Sequence, residues 1–100
     1  MTVAALVPDL MDRSRLGGLV DVFVSSATAL ETVDATIVVV DLGRPGATDA
    51  IAGLVARDIR VVAFGSHVDA ATLDAARAAG AEALPRSRFF ADPAAAIGSL

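Results

Sequence analysis

Four apolar residues in a row, Ile37 to Val40, end in a carboxylate at Asp41, and Leu42-Gly43-Arg44-Pro45-Gly46 follows. A run that is apolar at successive positions meets a core on both sides, so it predicts a central strand buried on both faces of a sheet. The remaining apolar segments fall into order around it. Val3–Val7 is a short apolar run closed by Pro8-Asp9, a first strand. Leu10, Met11 and Leu16 with charges between them predict a short helix, capped by Asp9 and stopped by Gly17-Gly18. Leu19–Val24 reads as a second strand. Ser25 or Ser26 then caps a helical stretch through Val33, with Leu30 and Val33 three apart on one face.

Beyond the glycine-rich turn, Ala50, Ile51, Leu54 and Val55 recur at helical spacing up to Arg57-Asp58. Ile59–Phe64 predicts a fourth strand, ended by Gly65-Ser66-His67. Asp69 caps a helix over Ala70–Ala79 that Gly80 terminates, and Glu82–Pro85 is a short fifth strand. Asp92-Pro93 places an N-cap before a proline suited to the first helical position, opening a last short helix to Leu100. Strands that alternate with single helices demand right-handed crossovers, hence a parallel sheet with helices on both faces. The expected fold is therefore α/β, a flavodoxin-like three-layer α/β/α sandwich with five parallel strands ordered 2-1-3-4-5. That order puts the switch point, where ligands settle outside the carboxyl ends of the strands, between strands one and three.

Length and charge narrow the functional classes. One hundred residues hold a single domain with a modest core, and much of the 55% apolar content is alanine, which buries little area. A net charge of −4 without a basic stripe argues against a nucleic-acid surface. All eight cations are arginine, so there is no lysine, and there is no cysteine to supply a disulfide, a thiolate ligand or a nucleophile. No signal peptide is read at the N-terminus, and no apolar run approaches a membrane span, so a cytoplasmic protein is expected.

With the five units placed, three passages resemble the receiver domain of bacterial response regulators, the CheY-like family. Ile37–Gly46 is similar to the phosphoacceptor strand and loop, with Asp41 at the phosphorylated aspartate. Val61–Asp69 resembles the fourth strand and its loop, and Ala75–Ala81 the helix end before the fifth strand. The resemblance covers nearly the whole chain, and it implies a signalling module whose Asp41 takes a phosphoryl group with Mg²⁺. The departures are chemical. The acidic pair expected after the first strand reads Val7-Pro8, with Asp9 one place late. Gly65 stands where a hydroxyl is expected, with Ser66 next, and Leu84 stands near the aromatic switch position. The lysine expected after strand five has no counterpart; Arg86 and Arg88 are the nearest cations. Phosphoryl transfer rests on positioning and charge neutralisation, so losing the metal carboxylates removes its main support.

These readings assign the candidates. Asp41 is phosphoacceptor-like or a loop cap bonding Gly43 or later amides, and Asp9 is a weak second Mg²⁺ ligand or an N-cap; otherwise no cofactor is implied. Ser66, Arg86 and Arg88 are candidates for binding an anion or a partner carboxylate. Phe89 and Phe90 are interface candidates, or core aromatics under the last helix. Ser66-His67-Val68-Asp69 holds the residue types of a hydrolase triad, but nearly consecutive residues do not converge as a triad must. The expected protein is a degenerate, stand-alone pseudo-receiver, an interaction module and not an enzyme, without phosphorylation switching. Its protein partner, or a second copy, would dock on the face of Ala70–Ala79, Glu82–Pro85 and Pro93–Leu100, with no nucleic acid or membrane involved. The alternatives are a true receiver phosphorylated on Asp41 with Mg²⁺, and a flavodoxin-like protein binding a small ligand in the loop crevice.

Overall fold

The computed structural model describes residues 2–98. Five parallel strands, β1 (Val3–Leu6), β2 (Val22–Phe23), β3 (Ile37–Asp41), β4 (Arg60–Gly65) and β5 (Glu82–Pro85), form one sheet in the order β2-β1-β3-β4-β5. The five helices are α1 (Leu10–Leu16), α2 (Ala47–Ala56), α3 (Ala70–Ala78), α4 (Arg86–Ala91) and α5 (Pro93–Gly98). The architecture and strand order are those expected from the sequence.

Alternation along the strands divides the core in two. Ala4, Leu6, Val38, Val40, Val61 and Ala63 face Leu30, Ile51, Leu54, Leu73 and Ala76, so α2 and α3 cover this side. Val3, Ala5, Ile37, Val39, Val62 and Phe64 face Leu16, Phe89, Phe90 and Ile97, so α1, α4 and α5 cover the other. The register pairs Leu6 with Val40 and Asp41 with Phe64. The carboxyl ends of β1, β3 and β4 therefore finish level, which gathers the loops after them along one edge.

Three local expectations are corrected. The second strand is confined to Val22–Phe23, because Gly17–Leu19 forms a 3₁₀ turn and the Asp21 carboxylate turns back to accept from the Val3 amide at 2.8 Å. The helix expected from Ser25 or Ser26 to Val33 is a 3₁₀ turn over Thr28–Thr32, with the Ser26 hydroxyl accepting from Ala29 N at its start. Two threonines in so short a segment disfavour an α-helix. Arg57 closes this turn from outside, its guanidinium donating to the carbonyls of Leu30, Glu31 and Val33. The third correction is α4, which starts directly after β5; six residues are too few to display a helical period in sequence. The last helix is observed over Pro93–Gly98 with Asp92 Oδ1 accepting from Ala95 N. The expected continuation to Leu100 lies outside the described residues.

Candidate functional site

The crevice forms outside the carboxyl ends of β3 and β4, beside the start of α4, and not between β1 and β3 as the strand order led us to expect. Asp41 closes β3, and its Oδ1 accepts from the Gly43 amide at 2.9 Å. A side chain on Gly43 would press on that same oxygen, its Cβ 3.2 Å from Asp41 Oδ1. Glycine thus permits the tight turn that holds the carboxylate. With Gly43, Phe64, Gly65, Ser66, His67, Arg86 and Ser87, Asp41 lines a cavity of about 280 Å³.

Asp9 does what its position before a helix predicts. Its Oδ1 accepts from Met11 N and Asp12 N at 2.9 and 3.0 Å, capping α1. Asp69 likewise caps α3, accepting from the amide and hydroxyl of Thr72, and these bonds hold its pKa below the ordinary carboxylate value. Ser66 does not cap that helix; its hydroxyl accepts from Val68 N within the loop.

The residue missed in the sequence is Asp12. It is 2% exposed, the single buried charged residue among those described, and it forms an ion pair with Arg86. Asp12 lies on the inward face of α1 with Leu16, four residues on, and that spacing is the signal by which it could have been found. Arg86, the first residue of α4, lies over the rings of Phe64 and Phe90 at 5.6 and 4.9 Å. Its pKa is raised, first by the hydrogen bond to Asp12 and then by the charges of Asp12, Asp41 and Asp9, against a desolvation that lowers it. The guanidinium thus pairs directly with Asp12 and only feels the more distant charges of Asp41 and Asp9.

Of the other candidates, Ser66 joins Arg86 and Asp41 around the cavity, whereas Arg88 is exposed on α4 and does not line it. The cation that accompanies Arg86 is Arg15, which lies 4.4 Å over Phe90 and donates to the Phe90 carbonyl. Phe89 and Phe90 are corrected as interface candidates. At 0% and 6% exposure they fill the core beneath α4, Phe89 stacked on Phe64 and Phe90 meeting it edge-on, with ring centroids 4.9 and 5.0 Å apart. Among the described residues, no three His, Cys, Asp or Glu side chains are grouped to hold a metal ion, and no helix is long and apolar enough to cross a membrane.

A parallel five-stranded sheet in this order, with an aspartate ending its central strand at the crevice, is the fold of a response-regulator receiver domain. Solved structures carry that statement. A DNA-binding response regulator of the LuxR family from Staphylococcus aureus is 13% identical over 98% of this chain and 96% of its own, with a TM-score of 0.78. A response regulator protein from Burkholderia pseudomallei, with a phosphorylated aspartic acid, calcium ion and citrate, is 17% identical over 96% of this chain and 65% of its own (TM-score 0.74). The isolated REC domain of RcsB from Salmonella enterica serovar Typhimurium in the apo form is 17% identical over 93% of this chain and 81% of its own (TM-score 0.70). No protein-family model and no curated protein matches the sequence.

Proposed function

We propose that the chain is a receiver-like signalling or regulatory interaction module, a binder and not an enzyme, that works without phosphorylation of Asp41. The observation that carries this reading is the Asp12–Arg86 ion pair. A receiver-type Mg²⁺ site needs several free carboxylate oxygens on a hard octahedral ion. Here Asp9 is occupied with two helix amides, Asp41 with Gly43, and Asp12 with a guanidinium. These residues do not fit a Mg²⁺ ion held in the receiver manner. The permanent charge of Arg86 supplies the neutralisation instead, and it does so before any phosphoryl group arrives.

The proposed docking face is the β5 edge with α3 and α5 beside it. The edge strand β5 lies between them, α3 packing on one side of the sheet and α5 on the other. Ala70, Ala71, Ala75 and Ala78 are exposed on α3, so a partner backbone can approach closely. The partner is a protein, in the cytoplasm, and a second copy of the chain is the first to test by light scattering. Phosphorylation is tested separately: the chain is incubated with acetyl phosphate, or with beryllofluoride, and Mg²⁺. The expected result is an unchanged mass and an unperturbed Asp41 environment. A phospho-adduct that Asp41→Asn abolishes would establish the competing reading, a working receiver like the phosphorylated Burkholderia protein.

A further inference from the structure

A second cavity lies away from the crevice. About 440 Å³ in volume, it opens between the 3₁₀ turn Thr28–Thr32 and α2, on the side of the sheet opposite α4 and α5. That volume falls in the range of small-molecule sites. It exists because a single 3₁₀ turn stands between β2 and β3 where a full helix was expected.

Gly53 is the telling residue. It sits inside the ten-residue helix α2 and lines the cavity. Its φ is not in the left-handed region, and a Cβ built on it meets nothing within 4 Å. Neither backbone conformation nor packing therefore requires glycine here, although glycine inside a helix is disfavoured relative to alanine. What glycine does achieve is depth. It leaves the wall bare above a floor that includes Leu30 and Leu54, 0% and 2% exposed.

The polar lining is unbalanced. Glu31 and Asp49 contribute two carboxylates, and neither joins the ion pairs of the described residues. The one cation of the lining, Arg57, has its guanidinium directed to three backbone carbonyls. An apolar floor with surplus negative charge at the wall selects a positively charged ligand with an apolar body.

We propose that this cavity is a binding site for a small organic cation, a protonated amine carried on an apolar group. The apolar part would rest on Leu30 and Leu54 beside Gly53, with the ammonium toward Glu31 and Asp49. The test is a ¹⁵N–¹H NMR titration of the full chain with phenethylammonium, with 2-phenylethanol and 3-phenylpropionate as neutral and anionic counterparts. Amide shifts are expected within residues 27–31 and 46–57. The cation should bind about three- to fivefold more tightly than the alcohol, the size of an exposed charge pair. Glu31→Gln with Asp49→Asn should abolish that preference and leave alcohol binding. Gly53→Leu should fill the cavity and abolish all binding; Gly53→Ala, which raises helix propensity, should weaken binding while raising the melting temperature. Shifts centred elsewhere, equal binding of the anion, unaltered binding by both Gly53 variants, or no binding of any probe would each overturn the proposal.

Discussion

Asp12 and Arg86 stand 74 positions apart and meet in an ion pair between a carboxylate Oδ1 and a guanidinium Nη2. The pair is asymmetric, for the Asp12 side chain is 3% exposed and that of Arg86 46%. It ties α1 to the start of α4 across the carboxyl edge of the sheet. The raised pKa of Arg86 keeps it charged at any ordinary pH, so titration of the guanidinium does not release the contact.

Removing the two partners should have unequal effects. Arg86→Met leaves a buried carboxylate without its counter-charge, and we expect a loss of about 3 kcal/mol, the low end for a broken buried pair because water reaches the vacated place. Asp12→Leu removes the group that needs compensation and leaves Arg86 to solvent, so it should cost less. The double variant should recover most of the Arg86→Met loss. A urea-denaturation double-mutant cycle measures this, and strictly additive effects would show that the two residues are not coupled.

The aromatic cluster above β4 is the second structural support of α4. Phe89 is fully buried, stacked on Phe64 at a centroid distance of 4.9 Å with an interplanar angle of 22°. Phe89→Ala should cost about 3–5 kcal/mol by transfer and cavity terms together. In a domain of this size that loss approaches the whole stability of about 5–15 kcal/mol. Phe89→Leu should retain the fold at reduced stability and leave the oligomeric state unchanged, because the ring faces the chain's own sheet. A change of mass in light scattering for the leucine variant would contradict that placement.

The parts of the fold that depend on burial were legible in the chain. Ile37–Val40 reads as a central strand because both faces are covered, and Glu82–Pro85 has the bounds expected. The caps at Asp9, Asp69 and Asp92 were equally plain, since each acts within three residues of itself. The segment from Leu19 to Val33 misled because Leu19, Val20, Val24 and Leu30 are apolar for packing at irregular spacing, which imitates a longer strand and helix. The site was half legible. Asp41 marks the crevice in sequence, but Asp12 reads as an ordinary acidic residue in a first helical turn. Its partner lies beyond four further strands, and nothing local announces that distance. Arg15 is hidden for the same reason, its contact with Phe90 being 75 positions away.

The cap of α3 gives a pH dependence with a definite sign. Thr72 donates to the Asp69 carboxylate through its amide at 3.1 Å and its hydroxyl at 2.7 Å, and both bonds favour the ionised form. The folded pKa therefore lies below the ordinary 3.8. A carboxyl depressed on folding contributes stability above its unfolded pKa and loses it as pH falls through the folded one. An NMR titration should find Asp69 ionising below 3.8, with the Thr72 amide shifting in step. Asp69→Asn should retain the cap and remove that step, whereas Asp69→Ala should fray the first turn of α3 at every pH.

At the opposite end of the sheet a single arginine holds the last helix. Arg60 Nη2 donates to Glu82 Oε1 at 2.9 Å and to the Ala96 carbonyl at 3.1 Å, and Nη1 donates to the carbonyl of Ile97. Its pKa is raised, first through the hydrogen bond with Glu82, although burial works against it. The side chain is only 19% exposed while that of Glu82 is 54% exposed, so the two should not be equivalent in mutation. Glu82→Gln breaks a pair that water screens and should cost under about 1 kcal/mol. Arg60→Met strips α5 of donors for its terminal carbonyls as well, and we expect about 2 kcal/mol. Hydrogen exchange separates the two losses: Arg60→Met should deprotect the Ala96 and Ile97 amides well before the strands, and Glu82→Gln should not. Equal deprotection by both variants would mean that the ion pair, and not the carbonyl contacts, holds α5 to the sheet.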